Sequence, residues 1–517
     1  MFLEIVATSI VLSFTIFYFY VKYKMNFWKR RGVAQEPGYF PFGSQDVWDM
    51  LTRKINFNQI TVRAYNNHPD EAIVGEYGFF GSPILVVRDL DLAKRLLIKD
   101  FDYFVDRSPE PLSSPHTKNN KIISKMLFAL RGNEWKKTRA NFTPVFTSGK
   151  LKSMIPLMHK VADKCDISLE ELCGKDVEGK DFMKKFALDV IVSTGFGYEI
   201  NSFEDTNNVF VKNSDLLISK ELTIPKMLTF LIITLAPSLS KLLDIPVLDE
   251  KALKFFTEMI YQSIDERQKS GIKRNDFIDL VQDVTMKEEE KTKEKEEEDN
   301  QQTNKELKDV LVINGIVLFL AGFETVSSTA GIVLYHLAKN PDHQEKLFQE
   351  ISKAVEDFGD ENLDYSIIMN LKYLEMCLQE SQRAYPLFHI ERGSIKDYKI
   401  PETDTIIPKG IIVRFPTNAT TKDAKYFPNP DAFNPENFNA ENKAKRHAFA
   451  FGPFGHGPRN CIAERFAKME VKLAIARIIY KFKLLPCEKT VDQLIPDPKS
   501  RSRQPLGGVW FSPQKRK

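Results

Sequence analysis

Apolar and polar positions follow each other along this chain with mostly helical periodicity. Residues 310–340 form the longest apolar pattern, which stops at Pro341 as expected of a helix whose last residue precedes a proline. About thirty residues at 1.5 Å each would cross a whole domain. Because this segment is apolar nearly all round, we expect it to be a central, buried helix.

Shorter patterns predict the elements around that helix. Residues 466–480 and 369–385 have the spacing of further helices, and the second pattern stops before Pro386. Within residues 76–87, glycines and a proline bracket short apolar runs, which indicates a β-hairpin. The sequence therefore predicts a mainly α fold with small β-sheets.

Residues 1–24 have the composition of a membrane anchor. From residue 5 to residue 21 the chain is uncharged and almost wholly apolar, about the minimum length that spans a bilayer. Lysines and arginines follow it and only Glu4 precedes it, so the positive-inside rule leaves the N-terminus luminal and the body cytosolic. A cleaved signal peptide would need a basic start and a small-residue cleavage site, and neither is evident. We expect an uncleaved transmembrane anchor in the endoplasmic reticulum.

Two further stretches differ from the helical body. Residues 25–45 join basic residues to a turn-rich run at 36–43, which predicts a stiff hinge after the anchor. Residues 287–308 are nearly all charged or amide side chains and cannot bury apolar area. They indicate a mobile surface loop, with an acidic docking site as the alternative.

Composition narrows the classes of function. A net charge of +3 over 517 residues is too balanced to indicate nucleic acid as the main partner. The five cysteines are few and scattered. This argues against a disulfide framework and for a reducing compartment around the main body.

One cysteine lies in a glycine-rich loop, within the run FGHGPRNCIA at residues 454–463. Gly455 and Gly457 permit backbone dihedrals that other residues resist, so the loop can fold back over a flat object. Cys461 lies near the start of the helix predicted after it, where the helix dipole and free N–H groups favour a thiolate. A single thiolate suits a soft or redox metal better than tetrahedral zinc. For the lone residue, a buried structural cysteine is the alternative.

The middle of the long apolar pattern carries the run AGFET at residues 321–325. A glycine inside a helix costs about 1 kcal/mol against alanine, and a buried acid costs more unless it is satisfied. Two other pairs have helical spacing. They are Trp135 with Arg139, and Glu380 with Arg383. Each pair on its own is commonplace on a helix surface.

Together these motifs resemble those of the cytochrome P450 family. The run at residues 454–461 resembles the family's haem-ligand loop, with Ala463 where the family usually has glycine. The other matches, in the same order along the chain, are the family's Trp-x-x-x-Arg, its oxygen-binding groove at AGFET, its Glu-x-x-Arg, and FNPENF at residues 433–438. Spacing after the cysteine, and FTSGKLK at residues 146–152, look most like the branch with vertebrate drug- and steroid-oxidising and insect detoxification enzymes.

The resemblance implies the cytochrome P450 fold for a catalytic domain at residues 46–517, and a role for each matching residue. Cys461 would be the axial ligand of the iron of haem b. Thr325 would hydrogen-bond dioxygen, the co-substrate, and Glu324 would help to relay protons. The side chains that would bind the haem propionates are Trp135, Arg139, Arg107, Arg392 and Arg459. The Glu380–Arg383 pair would be structural.

The resemblance also implies partners. Electrons would come from NADPH through a flavoprotein reductase in the same membrane, with cytochrome b5 as a further candidate donor. The basic residues that would dock such a donor near Cys461 are Lys443, Lys445, Arg446 and His447, for which a solvated loop is the alternative. Residues 227–235 are apolar but too short to span a bilayer, so they are either core or a second membrane contact.

The expected reaction is a monooxygenation of a lipophilic substrate such as a steroid, a fatty acid or a foreign compound. Apolar and aromatic residues from two segments would line its pocket. They are Ile316, Phe319, Phe323, Leu387, Phe388 and Ile390. An enzyme that rearranges a peroxide, and a membrane-anchored haem carrier or gas sensor, are the alternatives. Neither of these needs both Glu324 and Thr325.

One departure from the family pattern affects the core. Asn437 stands where the family often has an arginine that completes a buried network with Glu380 and Arg383. An amide can donate hydrogen bonds but supplies no charge. We expect the core to tolerate this at a somewhat lower stability.

Overall fold

The computed structural model describes residues 1–56, 59–107, 122–217, 225, 228–229, 232–233, 237–246, 248–271, 273–274, 276–279, 300–500 and 504–516. Within these ranges the protein is mainly α-helical with small β-sheets, which confirms the predicted fold class. The helices of the first half are α1 (Phe2–Lys24), α2 (Gln45–Leu51), α3 (Val62–Asn67), α4 (Leu90–Lys94), α5 (Gly132–Phe142), α6 (Ser148–Glu171), α7 (Gly179–Ile191), α8 (Val209–Leu217), α9 (Pro237–Leu242) and α10 (Glu250–Ser270).

The helices of the second half surround the predicted site. They are α11 (Asn300–Lys339), α12 (Pro341–Phe358), α13 (Tyr365–Asn370), α14 (Lys372–Ala384), α15 (Thr417–Thr420), α16 (Ala440–Lys445) and α17 (Glu464–Lys481). The strands are β1 (Gly38–Tyr39), β2 (Gly43–Ser44), β3 (Ile73–Tyr77), β4 (Pro83–Val87), β5 (Val177–Glu178), β6 (Ile390–Gly393), β7 (Tyr398–Lys399), β8 (Ile406–Ile407), β9 (Ile412–Phe415), β10 (Phe482–Leu485) and β11 (Trp510–Lys515).

The sheets are small and lie around the helical body. The largest has the order β3-β4-β9-β6, in which β4 and β9 are parallel and the other neighbours are antiparallel. Its β3-β4 pair is the predicted hairpin, with Ile73 opposite Val87. A three-stranded sheet has the order β10-β11-β5, and two pairs, β1-β2 and β7-β8, complete the set among the described residues.

Helix α11 is the central element of the fold. The side chains of its second half are mostly buried, and the helix ends at Lys339, shortly before Pro341, as predicted. The helix starts at Asn300, however, and not at residue 310. Residues 300–308, expected to belong to a charged loop, are therefore helical, and the rest of that predicted loop, residues 287–299, lies outside the described residues.

Helix α7 crosses α11 at close range. The Cα of Gly331 lies 3.5 Å from the point where a side chain at Gly179 would begin. A Cβ at Gly331 would lie 2.8 Å from the backbone nitrogen of Lys180 and 2.9 Å from its Cα. Only glycine allows this approach, because no real Cβ contact is that short. The crossing fixes α7 against the half of α11 that follows the AGFET run.

The pattern at residues 369–385 forms two helices and not one. Helix α13 ends at Asn370, Leu371 is extended, and α14 begins at Lys372. Side chains cap the N-termini of α13 and α14. The Asp364 carboxylate accepts from the backbone N–H of Ile367, and the Glu350 carboxylate accepts from two N–H groups at the start of α14. The Glu350 contact comes from another helix, so the local pattern could not predict it.

Two described helices are long and apolar enough to cross a membrane. One comprises residues Phe2–Arg31, and none of its apolar window is buried. The other is the central helix, whose window is 56% buried. The end of α1 and the segment after it nevertheless pack on the body, since Val21 and Trp28 are both fully buried. The predicted hinge is thus docked along the β3-β4 hairpin, and the apolar segment at 227–235 lies largely outside the described residues.

Candidate active site

A cavity of about 760 Å³ lies between α11 and the loop before α17. Gly322 and Thr325 of α11 line it, as do Cys461 and its glycine-rich loop. Trp135 and Arg139 of α5 line it as well. The structure therefore brings residues from three separate sequence motifs to one space.

The loop that holds Cys461 is tightly folded. The backbone N–H of Cys461 donates to the carbonyl of Phe454 over 2.8 Å. Gly455 and Gly457 both have positive φ, 77° and 74°. A Cβ at Gly457 would overlap the carbonyl oxygen of Leu97, so this glycine is required by space as well as by backbone geometry.

Burial raises the pKa of the Cys461 thiol above its usual value. A hydrogen bond from the backbone N–H of Ala463, just before α17, acts in the opposite direction, as do the charges of Arg107 and Arg139. The helix start was expected to favour the thiolate, and the structure shows that burial outweighs it. A thiolate here needs a cation at the sulfur, because a coordinating metal deprotonates a thiol outright.

Two cations stack around Trp135. The guanidinium of Arg459 lies 4.3 Å from the Trp135 ring centre and that of Arg139 lies 6.0 Å from it. Arg459 donates to the carbonyl of Val105 over 2.8 Å, and Arg139 donates to both the carbonyl and the side-chain oxygen of Asn460 at 2.7 Å. Both arginines are thus fixed by backbone contacts next to the cysteine.

Two more arginines complete a cationic wall. Arg107 donates to the backbone carbonyl of Arg459, and Arg392 has a buried Nε without a partner among the described residues. Burial lowers the pKa of Arg392 to about 9, and the charges of Arg107 and Arg459 lower it further. Two described carboxylates lie near them: that of Asp106 is 3.9 Å from Arg459, and that of Glu391, next to Arg392 in the chain, is paired with Arg414 at 3.0 Å. Such a wall fits a ligand that brings carboxylates of its own.

These features fit haem. Its two propionates would meet the arginines, and its iron would meet one sulfur. No group of three or more His, Cys, Asp or Glu side chains among the described residues could hold a bare metal ion. A cavity with a single thiolate is therefore suited to a metal that is already coordinated by a flat organic ligand.

In the AGFET run, the Glu324 carboxylate and the Thr325 hydroxyl have different surroundings. Thr325 lines the cavity, and its hydroxyl donates to the carbonyl of Ala321 over 2.6 Å. Glu324 is not among the described residues that line the cavity. Its carboxylate lies 2.6 Å from the ammonium of Lys180 on α7, with both side chains mostly buried. Sequence analysis missed Lys180, because nothing in the sequence links two residues 144 positions apart.

Behind the cavity lies the Glu380–Arg383 pair. Both side chains are fully buried, and two hydrogen bonds of 2.8 Å join them. The amide of Asn437 donates to both oxygens of Glu380, at 3.2 and 3.3 Å. Arg446 donates to the carbonyl of Asn437 and stacks on Phe438. The amide thus keeps the contact of the usual arginine, and the predicted docking residue Arg446 is engaged in this core.

The predicted pocket residues divide into two groups. Leu387, Phe388 and Ile390 line the cavity as expected. Ile316, Phe319 and Phe323 do not, which corrects that prediction, because they are fully buried in the main core. Phe319 packs on Phe196 and Phe256 of neighbouring segments. The residues that α11 presents to the cavity instead include Val317, Leu318, Ala321 and Gly322.

Comparison with known proteins identifies the family. The model of the cytochrome P450 family matches residues 67–510. Probable cytochrome P450 6a14 of Drosophila melanogaster is 33% identical over 94% of this chain and 94% of its own length. Cytochrome P450 6B2 of Helicoverpa armigera is 32% identical over 95% and 94%, and cytochrome P450 6A1 of Musca domestica is 31% identical over 96% and 95%. The chain belongs to the cytochrome P450 family of haem-thiolate monooxygenases.

Proposed function

We propose that Cys461 is the axial ligand of haem in a monooxygenase that inserts one oxygen atom of dioxygen into a lipophilic substrate. The observation that carries this proposal is that Cys461 and Thr325, from separate elements of the chain, line the same cavity. When bound, haem supplies the chemistry that activates dioxygen and transfers oxygen. Residues 46–517 form the catalytic domain.

The arginines orient the cofactor. Arg107, Arg139, Arg392 and Arg459 would hold the two propionates, while Trp135 holds Arg459 by stacking. The pKa values of Arg392 and Arg459 are lowered mainly by burial and further by neighbouring cations, so carboxylates brought by the bound cofactor would offset that effect.

Thr325 and Glu324 deliver protons to the site of the reaction. The Thr325 hydroxyl is held by the carbonyl of Ala321, and it donates to dioxygen after rotation about its side-chain bond. The Glu324 carboxylate is fixed by Lys180, so it reaches the cavity through water and not by direct contact. The ion pair with Lys180 holds the Glu324 carboxylate in place, and a carboxylate can accept a proton and pass it on.

The side chains that line the cavity favour a lipophilic substrate. Apolar side chains such as Val317, Leu318 and Phe388 dominate the part of the cavity away from the arginines. A largely apolar pocket of this size binds a drug-sized or steroid-sized molecule. The anchor α1 places the enzyme at a membrane, where such molecules concentrate. We place it in the endoplasmic reticulum with its N-terminus in the lumen.

Electrons come from NADPH through a flavoprotein reductase, and cytochrome b5 is a further candidate donor. Lys443 and Lys445 are exposed, and of the predicted basic residues they are the best placed to contact the electron donor. His447 is less available, because its Nε2 lies 3.3 Å from Asp91.

Reconstitution in membranes tests this function. The protein, the reductase, NADPH and a panel of lipophiles should yield products that carry an atom from labelled dioxygen. The Lys443→Glu, Lys445→Glu variant should lose reductase-driven turnover and keep peroxide-driven turnover, while Lys251→Glu, at an exposed lysine of α10, should keep both. Equal loss of both activities in the double variant would reject the docking site, and products without the label would reject the monooxygenase.

A further inference from the structure

The turn that joins β3 to β4 packs on the apolar part of α1. The ring centre of Phe80, in this turn, lies 5.4 Å from that of Phe17 in α1. At Gly81, the next residue, a Cβ would lie 3.0 Å from the Cβ of Lys24 and 3.1 Å from the carbonyl oxygen of Val21. The turn therefore contacts the helix with its backbone as well as with a side chain.

The segment between β1 and β2 contacts the same part of α1. Phe40 lies in this segment. Its ring centre is 5.7, 5.9 and 5.1 Å from the ring centres of Phe14, Phe17 and Tyr18. Phe14 and Phe17 remain 59% and 38% exposed, so the body covers one side of the helix here and leaves the other side open.

The length of α1 determines how deep these contacts lie when the helix crosses a membrane. Residues 5–21 are uncharged and extend for about 25 Å at 1.5 Å per residue, whereas the hydrocarbon core of a bilayer is about 30 Å thick. A span this short needs every one of its residues, so residues 14–18 lie in the hydrocarbon core. Tyr18 and Phe14 are about 6 and about 12 Å from Lys22, measured along the helix axis. Side chains that pack on them lie at the same depth.

The two segments of the body have the chemistry that this depth requires. Residues 37–45 and 77–87 contain no charged side chain. The backbone N–H of Phe80 donates to the carbonyl of Pro41 over 2.8 Å, and the hydroxyl of Ser82 donates to a carbonyl of its own turn over 3.0 Å. Lipid offers no water to bond a polar group, so internal pairs of this kind make a turn compatible with hydrocarbon.

Further aromatic rings extend this surface away from α1. The ring centre of Phe42 is 4.7 Å from that of Trp48 and 6.3 Å from that of Phe79. Trp48 is 42% exposed although it is large and mostly apolar. Tryptophan is enriched where a protein enters a bilayer, because its ring is apolar and its N–H is polar. We call Phe40, Phe42, Trp48, Phe79 and Phe80 the aromatic tip.

We propose that the aromatic tip inserts into the hydrocarbon core of the bilayer beside α1, as a second point at which the body enters the membrane. Lipid is the partner that fits, because the tip is continuous with the apolar surface of the anchor and carries no charge. Two points of insertion joined by ring contacts fix the tilt of the body relative to the membrane. This inference rests on the membrane anchoring by α1 that is part of the proposed function.

Photo-crosslinking of the full-length haem protein tests the insertion. The photoreactive residue p-benzoylphenylalanine replaces one side chain at a time, the haem spectrum checks that each protein is folded, and each is reconstituted into phosphatidylcholine vesicles. After irradiation, mass spectrometry detects lipid adducts and assigns them to the acyl chain or to the headgroup. We expect acyl-chain adducts from positions 42 and 48, as from position 10 in the exposed apolar part of α1.

Phe358, at the end of α12, is the matched control. It is 44% exposed, close to the value for Trp48, but it lies outside the aromatic tip, so the same replacement there should give no lipid adduct. Acyl-chain adducts from position 10 alone, adducts of the tip confined to the headgroup, or crosslinks from the tip to a second copy of the chain would overturn the inference and leave the anchor intact. If position 10 gives no lipid adduct either, the proposed membrane anchoring itself fails.

Discussion

At the scale of single residues, burial changes the titration of one acid on α17. Glu470 is almost fully buried, and neither carboxylate oxygen has a partner among the described residues. Burial alone raises its pKa well above the usual 4.5. The folded protein therefore holds Glu470 neutral at a pH where an unfolded chain would ionise it.

This makes the stability of the protein depend on pH. Above a pH of about 4.5 the unfolded state releases the Glu470 proton while the folded state keeps it, so the wild type loses up to about 1.4 kcal/mol of stability per pH unit. Glu470→Gln removes that titration. We predict that the melting temperature of the haem-loaded variant, relative to wild type, rises between about pH 5 and about pH 8. A constant difference over this range would show that Glu470 is ionised in the fold.

At the scale of elements, the crossing of α7 over α11 positions the Glu324–Lys180 pair. The crossing depends on Gly331, where a Cβ would meet backbone atoms of α7. Gly322, nine residues earlier in α11, is different. A Cβ there would meet only the end of the Ile191 side chain, at 3.4 Å.

Two glycine substitutions in one helix therefore have opposite effects. Gly331→Ala should destabilise the protein by about 1–3 kcal/mol, the usual cost of overpacking. Gly322→Ala should be neutral or stabilise it by up to about 1 kcal/mol, the helix preference of alanine over glycine. Thermal unfolding of both variants checks this, and destabilisation by Gly322→Ala alone would contradict the described crossing.

The sequence predicted which segments are helical better than it predicted their faces and ends. The end of α11 was predicted because Pro341 restricts its neighbour, a local effect. The prediction that Ile316, Phe319 and Phe323 face the cavity was wrong. A helix that is apolar on all sides has no polar pattern that distinguishes its core-facing side from its cavity-facing side. The break at Leu371 depends on Glu350 of another helix, which no local pattern contains.

The same limit applies to the site. Trp135, Arg139, Arg459 and Cys461 were predicted from motifs, and the structure gathers them at one cavity. Lys180 was not predicted, because it pairs with a residue distant in sequence.

At the scale of the whole molecule, the predicted anchor and the body share a helix. The first half of α1 is exposed, whereas Val21 near its end and Trp28 in the segment after it are fully buried. The Trp28 side chain occupies the space where a side chain at residue 75 would lie, and it therefore packs directly on Gly75 of β3. The boundary between the anchor and the body thus lies within α1.

Two deletions test this boundary. Removing residues 2–12 leaves an apolar stretch too short to span a bilayer, so the protein should no longer resist extraction from membranes with alkaline carbonate, while its melting temperature stays unchanged. Removing residues 2–28 should also destabilise the body by about 3–5 kcal/mol, the cost of losing a buried tryptophan. Equal stability of the two truncated proteins would contradict the docking of Trp28.

The central claim is that the Cys461 sulfur binds the haem iron. The most direct test is the absorption spectrum and oxygen-inserting activity of Cys461→Ser beside Cys173→Ser, a partly exposed cysteine on another segment. We predict that Cys461→Ser changes the haem spectrum and abolishes activity, and that Cys173→Ser changes neither. A Cys461→Ser protein with the wild-type spectrum and turnover would contradict the account.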